Sequence, residues 1–304
     1  MIEQCKTLTG RNLKLYFRDK GTVLFSLLSM LIVIGLMMLF LGDIQTEELT
    51  DILKQIPGHD PAEDEKNAKL LILSWTCAGI LSINAATVSL STFSAMIKDK
   101  TGGKFPAIYT APVSRGVIAL GYVLAAWTAS VLVCLLTLAV TESIGVLCGM
   151  EWFSVMTHIR LTGMIMVNSF AYASCMYVAA VLIQSQGAWS GLGTIVGTLT
   201  GFLGGIYLPI GQLSKNVAGF MKCTPMIYGT AMFRDLMTSD IVHATFHDLP
   251  QEAERTYREM MGIDLFVFDR QVTVGMSLTL LLIFGAIFLM IGAVLVKYGR
   301  KTDR

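Results

Sequence analysis

The chain has 304 residues and a formal net charge of +1, and 54% of its residues are hydrophobic whereas 15% are charged. Several uncharged stretches exceed the ~18 residues that suggest a membrane span. This composition favours an integral membrane protein, and the lack of a basic field argues against nucleic-acid binding. The six cysteines have no CxxC spacing, and the sequence leaves open whether Cys148 and Cys223 form a disulfide.

Residues 1–21 are predicted to form a helix that lies at the membrane interface. At helical spacing Arg11, Lys14 and Arg18 share one face of this segment. The apolar run that follows is long enough to span a membrane, and no small-residue cleavage site comes after it, which argues against a signal peptide. We therefore predict a first span at 22–42. The acidic stretch 43–67 that follows it has the sign expected of an external loop.

The second predicted span, 70–97, is uncharged but contains many serine, threonine and asparagine side chains. Polar groups in lipid need partners, so these side chains are expected to face other helices or a cavity. Interhelical hydrogen bonding is the simpler interpretation. Lining of a substrate cavity is the alternative, with Asn84 and Ser91 as the candidates in this span.

The loop 98–115 is a short basic segment between two long apolar runs. It contains four cations, Lys98, Lys100, Lys104 and Arg115, and one acid, Asp99. An excess of lysine and arginine beside membrane spans marks the cytoplasmic side. We therefore place this loop inside the cell.

A specific residue order runs through this loop into the next apolar run, carried by Asp99, Lys100, Pro112, Arg115, Gly121 and Tyr122. The order resembles the loop between the second and third spans of ABC-2 type permeases, the membrane subunits of one class of ATP-driven exporters. In that family this loop touches the ATPase subunit. The resemblance implies that Asp99, Lys100, Pro112 and Arg115 couple this chain to an ATPase. The alternative is an ordinary basic loop that obeys topology rules.

The third and fourth spans are predicted at 116–141 and 161–183, and the short return loop after them makes the fourth and fifth spans antiparallel neighbours. The fifth span, 188–210, contains three overlapping GxxxG steps, a pattern that lets another helix approach closely within the subunit or across a dimer. The glycines of this pattern are Gly193, Gly197, Gly201 and Gly205. Thr194 and Thr198 of the same span are candidates for cavity lining.

A second residue pattern follows the fifth span, carried by Pro209, Pro225, Tyr228 and Arg234. It also resembles ABC-2 permeases, in which external re-entrant helices occupy this place. We therefore predict an external segment at 211–271, whose residues 238–270 have no assigned role. His243 and His247 are spaced for a helical metal pair, but the HExxH glutamate is missing and we predict no metal site. A last span is predicted at 272–296.

The distribution of cations tests this layout. The proposed inside segments hold 13 of the 23 lysine and arginine residues, although they are much shorter than the outside segments. An even number of spans places both termini in the cytoplasm. The sequence therefore predicts one all-α integral membrane domain over 1–304, with six transmembrane helices, an N-terminal interfacial helix and external re-entrant helices before the last span.

The sequence argues against independent energy conversion and against catalysis. It has no Walker GxxxxGK[ST] pattern, no Asp, Glu, Lys, Arg or His in the six predicted spans, and no catalytic constellation. The resemblance implies a non-enzymatic permease in a bacterial plasma membrane, dimeric with itself or with a second permease. It would export an amphiphilic drug, antimicrobial peptide or lipid, while a separate cytoplasmic ATPase binds ATP and Mg; no cofactor is expected in this chain. An ATPase-independent carrier or channel is the alternative.

Overall fold

The protein is described by a computed structural model at residues 1–37, 46–47, 49–50, 61–105, 110, 113–247, 249–268 and 270–298. The first helices are α1 Ile2–Arg18, α2 Lys20–Leu36, α3 Pro61–Thr101, α4 Arg115–Leu147, α5 Val155–Leu182 and α6 Gln186–Leu203. After a 3₁₀ turn at Ile210–Gln212 come α7 Lys215–Lys222, α8 Pro225–Phe246 and α9 Gln251–Met260. A short antiparallel hairpin of β1 Phe266–Val267 and β2 Arg270–Gln271 precedes α10 Val274–Tyr298.

Helix α3 is the centre of the bundle. It has 41 residues, about 60 Å of helix at ~1.5 Å per residue, or about twice the thickness of a bilayer core. In its most apolar stretch of 18 residues, 89% of the helix is buried. Helix α3 contacts α1, α2, α4, α5, α6 and α8. The predicted span 70–97 lies within it. Its acidic first turn, with Glu63 and Asp64, therefore extends beyond the apolar part.

In the described chain, four helices are long and apolar enough to cross a membrane. They are α3, α4, α5 and α10, the last over Val274–Lys297. Helices α1 and α2 meet at an angle of 67° and add a fifth span if the pair is counted as one. Asp19 lies at this bend, where its Oδ1 accepts a hydrogen bond from the Thr22 N–H at 3.2 Å. The expectation of an all-α, multi-pass membrane protein is confirmed.

The count of six spans stays a prediction. Helix α2 is described to Leu36, and the end of the predicted first span lies outside the described residues apart from Met37. Helix α6 has 18 residues and ends at Leu203, so it is shorter than the predicted span 188–210 and is not among the four. Gly205 follows it with φ +65, a conformation that favours glycine, and the chain turns there.

The predicted external segment 211–271 is largely helical. Its longest helix, α8, has 22 residues and packs against α3, α5 and α10. At Gly229 the approach is close, because an added Cβ would lie 2.6 Å from Asn168 Oδ1 and 2.9 Å from Ser82 Oγ. Phe233 of α8 is fully buried in the same apolar core as Leu81 of α3. Whether this segment is re-entrant stays a prediction.

Helix α10 packs along α5 through glycines that the sequence analysis did not single out. An added Cβ at Gly285 would lie 2.7 Å from the ring of Phe170, and one at Gly292 would collide with the ring of Tyr177. The opposite side of α10 is open, since 17% of its most apolar window is buried. Cys148 and Cys223 are free and exposed, so they form no disulfide in this structure.

Candidate functional site

The end of α3 carries a buried carboxylate with partners from three segments. Arg11 of α1 binds Asp99 in a fork, with Nη1 2.8 Å from Oδ2 and Nη2 2.9 Å from Oδ1. The hydroxyl of Tyr122 in α4 donates to Oδ2 at 2.6 Å, and Lys104 Nζ lies 3.8 Å from Oδ1. We call Asp99, Arg11, Tyr122 and Lys104 the Asp99 cluster.

Burial explains why this carboxylate has so many partners. The side chain of Asp99 is 3% exposed, and a buried charge is destabilising unless it is paired and hydrogen-bonded. A two-bond fork from arginine also fixes orientation as well as distance. The Arg11 side chain is 35% exposed, so one edge of the pair faces solvent. The cluster therefore fixes α1 against α3 and α4 at a boundary between core and solvent.

A second contact holds α1 against α4 beside this cluster. Asn12 is buried, and its Nδ2 donates to the carbonyl of Gly121 at 3.3 Å. An added Cβ at Gly121 would lie 2.7 Å from the Cβ of Leu8, so the two helices approach closely only because a glycine is there. Gly121 and Tyr122 both belong to the first family resemblance. Gly121 contacts the N-terminal helix, and Tyr122 contacts Asp99, the carboxylate that this helix binds.

Lys100 connects α3 to the end of α5. Its Nζ donates to the carbonyls of Ala180 at 2.6 Å, Val181 at 3.0 Å and Ile183 at 3.3 Å. The last carbonyls of a helix have no partner within the helix, and a cation there is favourable. Trp189 of α6 adds a hydrogen bond to Ser94 Oγ at 3.0 Å. The end of α3 is therefore connected to α1, α4, α5 and α6.

A glycine turn directs the chain back over this cluster. The Lys104 N–H bonds the Asp99 carbonyl at 3.0 Å and the Gly103 N–H bonds the Lys100 carbonyl at 3.3 Å. Gly103 has φ +68, a left-handed backbone conformation. Together with the two hydrogen bonds, this conformation forms a type of helix C-terminus for which glycine is preferred. The Gly-Gly pair therefore ends α3 and brings the Lys104 side chain near Asp99.

The predicted coupling residues differ in exposure. Asp99 is buried and Lys100 is half-buried, and both bind groups within the chain. Arg115 is exposed at the first residue of α4, and Pro112 lies outside the described residues. Lys98 and the turn 101–104 are exposed at the end of α3. Asp99 and Lys100 thus contact other helices of the chain, whereas Lys98 and Arg115 are exposed. A role of these residues in coupling stays a prediction.

The four predicted packing glycines have different surroundings. An added Cβ would lie 3.4 Å from Leu90 of α3 at Gly193, would meet nothing within 4 Å at Gly197, and would collide with the Tyr207 ring at Gly201. Gly205 lies beyond the helix, in the turn. Within the described chain the pattern therefore contacts one helix at Gly193 and the following turn at Gly201, and Gly197 faces outward.

The four candidate cavity residues do not meet at one place. Asn84 is buried, and its Nδ2 donates to Thr137 Oγ1 at 2.9 Å between α3 and α4. Ser91 lines a cavity of about 330 Å³ that also contacts Tyr16, Lys98 and Asp99. Thr194 and Thr198 are exposed on α6 and donate to carbonyls of their own helix. Asn84 is thus an interhelical hydrogen-bond partner, and Ser91 lies beside the Asp99 cluster.

Near the other end of α3, Arg234 of α8 is fully buried. Its Nη2 donates to the carbonyl of Gly205 at 2.8 Å and its Nη1 to that of Met261 at 3.3 Å. Its guanidinium carbon lies 3.7 Å from the centroid of the Trp75 ring, an arrangement that stabilises a cation, and the Trp75 indole donates to the same Met261 carbonyl at 2.8 Å. We call these four residues the Arg234 cluster. It joins α3, α8 and the turns after α6 and α9.

The other residues of the second pattern support the same region. Pro225 is the first residue of α8, a place where the missing N–H costs no hydrogen bond. The Tyr228 hydroxyl donates to the carbonyl of Lys222 at 2.6 Å, which connects α8 to the end of α7. Nearby, Arg258 binds Asp264 and Asp235, and these carboxylates hold the pKa of the Arg258 guanidinium above its usual value.

Sequence reasoning missed Arg11 and overlooked what binds Arg234. In the sequence Arg11 is one of several cations of a predicted interfacial helix, and its partner Asp99 is 88 residues away. No local spacing connects residues that far apart. Arg234 is the last residue of the second sequence pattern, and the signal for its burial is its position within the apolar sequence of α8.

Comparison with known proteins identifies the family. A search of curated proteins found no match. A family model described as ABC-2 type transporter matches residues 3–238, which is more than half of the chain and includes the Asp99 cluster, α3 to α6 and Arg234. The chain therefore belongs to the ABC-2 type transporter family and is a multi-pass membrane permease.

Proposed function

We propose that this permease is the membrane subunit of an ATP-driven exporter. Two permease subunits, alike or different, assemble with two copies of a separate cytoplasmic ATPase that binds ATP and Mg. The ATPase contacts the segment 98–115 and the N-terminal helix α1. Closure of the ATPase pair displaces this segment and switches a cavity between the subunits from inward to outward access.

The single observation that carries this proposal is the set of contacts at the end of α3. The exposed Lys98 is followed directly by the buried Asp99, which binds α1 and α4, and by Lys100, which binds the end of α5. A force applied to the exposed turn therefore acts on four helices at once through short polar contacts. A loop that only obeyed topology rules would need no such contacts.

The source of energy supports an external ATPase. The sequence has no phosphate-binding loop and no Asp, Glu, Lys, Arg or His in its predicted spans, whereas proton-driven carriers place such groups there. A member of a transporter family with neither feature needs energy from another protein. The family itself is named for transporters of the ABC type, which supports an ATPase as that protein.

The distribution of charges supports the orientation that we propose for the chain. We place the end of α3 that carries Asp99, together with both termini, in the cytoplasm of a bacterial cell, and the segment 211–271 outside. The exposed face of α6 around Gly197, with Thr194 and Thr198, is proposed as the contact with the second permease subunit. The substrate is proposed to be amphiphilic, since the polar side chains on apolar helices suit a drug, a peptide or a lipid.

A cross-linking experiment tests the ATPase contact. In a chain whose own cysteines are replaced by serine or alanine, Lys98→Cys is labelled with a short photoactivatable thiol reagent in native membranes. We expect a cross-linked product that contains an ATP-binding protein. The matched control is Lys215→Cys, which is exposed on α7 in the segment that we place outside.

The two sites are expected to give opposite results. A product at Lys98→Cys without one at Lys215→Cys supports the proposal, and purification of the product should yield ATP hydrolysis. The proposal is overturned if Lys98→Cys captures no ATP-binding protein, or if the purified permease alone transports a substrate after reconstitution. The second result would establish the carrier or channel instead.

A further inference from the structure

A groove of about 860 Å³ lies between the first turns of α4 and the last turns of α10. Tyr177 of α5 and Val123 of α4 lie at its floor and are buried. Val296 of α10 packs in the same apolar cluster as Tyr122, which binds Asp99. The groove is therefore at the same end of the molecule as the Asp99 cluster.

The groove has an apolar body and a polar mouth. Leu120, Leu289 and Met290 line its walls, and Met290 is 61% exposed. Ser114, Arg115 and Lys297 lie where α4 begins and α10 approaches its end. Its volume is within the range of ~300–1,000 Å³ that is typical of small-molecule sites. Such a site suits an elongated molecule with an apolar chain and a polar head.

The charges at the mouth have one sign. Arg115 and Lys297 are both cationic, and no aspartate or glutamate is among the described residues that line the groove. Asp99, a buried acid at the same end of the molecule, binds Arg11 and Tyr122. The positive end of the α4 dipole adds to the same sign. An anionic head group is therefore favoured over a neutral or cationic one.

The surroundings of the groove indicate which molecule fills it. The groove opens beside the side of α10 that is least covered by protein, where Ile287, Ile291 and Val294 are exposed. In a membrane permease that apolar side faces lipid, so the molecules that reach the groove along α10 are membrane lipids. A soluble anion would match the mouth but would leave the apolar walls uncovered.

We infer that the groove binds one anionic phospholipid, with an acyl chain along Leu120 and Met290 and the phosphate between Arg115 and Lys297. The leaflet follows from the orientation proposed above, which places this lipid in the cytoplasmic leaflet, but the binding itself needs no ATPase. The lipid contacts the first turn of α4, directly after the segment 98–115. Its head group therefore holds the residue from which α4 begins.

Lipid binding is measured on the purified permease without ATPase or nucleotide, so the result is independent of the proposed exporter function. The protein in detergent is titrated with phosphatidylglycerol or with phosphatidylcholine, and bound lipid is counted by native mass spectrometry. We expect tighter binding of phosphatidylglycerol. Removing both cations with Arg115→Gln and Lys297→Gln should weaken that binding roughly thirtyfold, about fivefold for each cation. Phosphatidylcholine binding should change little.

Two matched controls separate the groove from the general surface. The pair Lys215→Gln and Arg270→Gln removes one lysine and one arginine from exposed positions elsewhere and should leave phosphatidylglycerol binding unchanged. Ala293→Trp fills the groove and should abolish the binding of both lipids, whereas Ala286→Trp, on α10 but outside the lining, should not. Each variant is checked for an unchanged elution volume and melting temperature.

Three outcomes would overturn the inference. The first is equal loss of lipid in the charge control and in the groove variant, which would indicate non-specific surface attraction. The second is displacement of the lipid by millimolar inorganic phosphate, which would indicate an anion site that does not hold a chain. The third is a Met290→Cys disulfide between two permease copies with no lipid bound, which would indicate a subunit interface.

Discussion

The two ends of α3 bind buried charges in opposite ways. The buried Asp99 carboxylate binds the guanidinium of Arg11 in α1 and the hydroxyl of Tyr122 in α4, and the Arg11 side chain is 35% exposed. At Arg234 a fully buried cation has no acidic partner among its described contacts and binds two carbonyls and the Trp75 ring. Asp99 and Trp75 are separated by about 36 Å of one continuous helix.

This difference indicates different mechanical roles for the two ends. The Asp99 cluster is held by ion pairs at the edge of solvent, which weaken with salt and rearrange when a charged partner binds. The Arg234 cluster depends on a fully buried guanidinium. Because solvent cannot reach this group, every lost contact leaves a buried polar group unsatisfied. We expect the first end to move during transport and the second end to stay fixed.

The largest expected effect is at the fixed end. Arg234→Ala removes both carbonyl contacts and leaves an empty volume beside Trp75, which should lower the free energy of unfolding by roughly 3–5 kcal/mol. The melting temperature of the purified protein in detergent measures this change. Arg270→Ala, at an exposed arginine, is the control and should fall within about 0.5 kcal/mol of the parent. Equal melting temperatures for the two variants would contradict a fixed end.

The mobile end should respond less. Asp99→Asn keeps the size of the side chain but removes its charge, which should cost roughly 1–3 kcal/mol because Arg11 can still turn partly to solvent. The double variant Arg11→Gln with Asp99→Asn should cost less than the sum of the two single changes, since the ion pair is lost once. Additive costs in this double-mutant cycle would indicate that the fork does not contribute.

Lys100 and Lys98 provide a matched pair with the same substitution two residues apart. Lys100→Gln weakens the contacts with the last carbonyls of α5 and should cost about 1–2 kcal/mol, because hydrogen bonds to a charged group are involved. Lys98 is exposed, so Lys98→Gln should change the melting temperature very little. A larger decrease in melting temperature for Lys98→Gln than for Lys100→Gln would contradict the stabilising role of Lys100.

The smallest expected effect on folding is at Gly197, where an added Cβ meets nothing within 4 Å. Gly197→Leu should leave the melting temperature of the single chain unchanged but reduce the dimer fraction measured by light scattering, if this face contacts the second subunit. Gly163→Leu, at another glycine with open space on α5, should affect neither property. A normal dimer in the Gly197 variant would remove α6 from the interface.

Much of the fold follows from apolar run lengths. The predicted spans 70–97 and 116–141 lie within α3 and α4, and all but the first two residues of 272–296 lie within α10. An uncharged run of that length has one stable form in lipid, the helix. The predicted span 188–210 extends beyond α6, which ends at Leu203. Gly204, Gly205 and Pro209 do not interrupt an apolar run, although the chain turns at Gly205. Hydropathy measures transfer energy, and backbone conformation at glycine is a separate property.

The contacts at the site were less accessible to sequence reasoning. The basic loop and Asp99 were identified, yet the pairing with Arg11 depends on how α1 folds against α4, which no periodicity encodes. Gly121 and Gly229 lie against neighbouring helices although neither belongs to a GxxxG row, whereas in the row Gly197 is open and Gly201 lies against the turn that follows its own helix. A spacing pattern gives the face of a helix but does not identify what lies against it.

Coupling through the end of α3 can be measured as the ATPase activity of the purified exporter complex in lipid, with and without substrate, for Lys98→Glu. We expect a folded complex with an unchanged melting temperature in which substrate no longer stimulates ATP hydrolysis. The Glu252→Lys variant, which changes an exposed residue of α9, should remain fully stimulated. Full stimulation in Lys98→Glu, or equal loss in both variants, would contradict coupling through the end of α3.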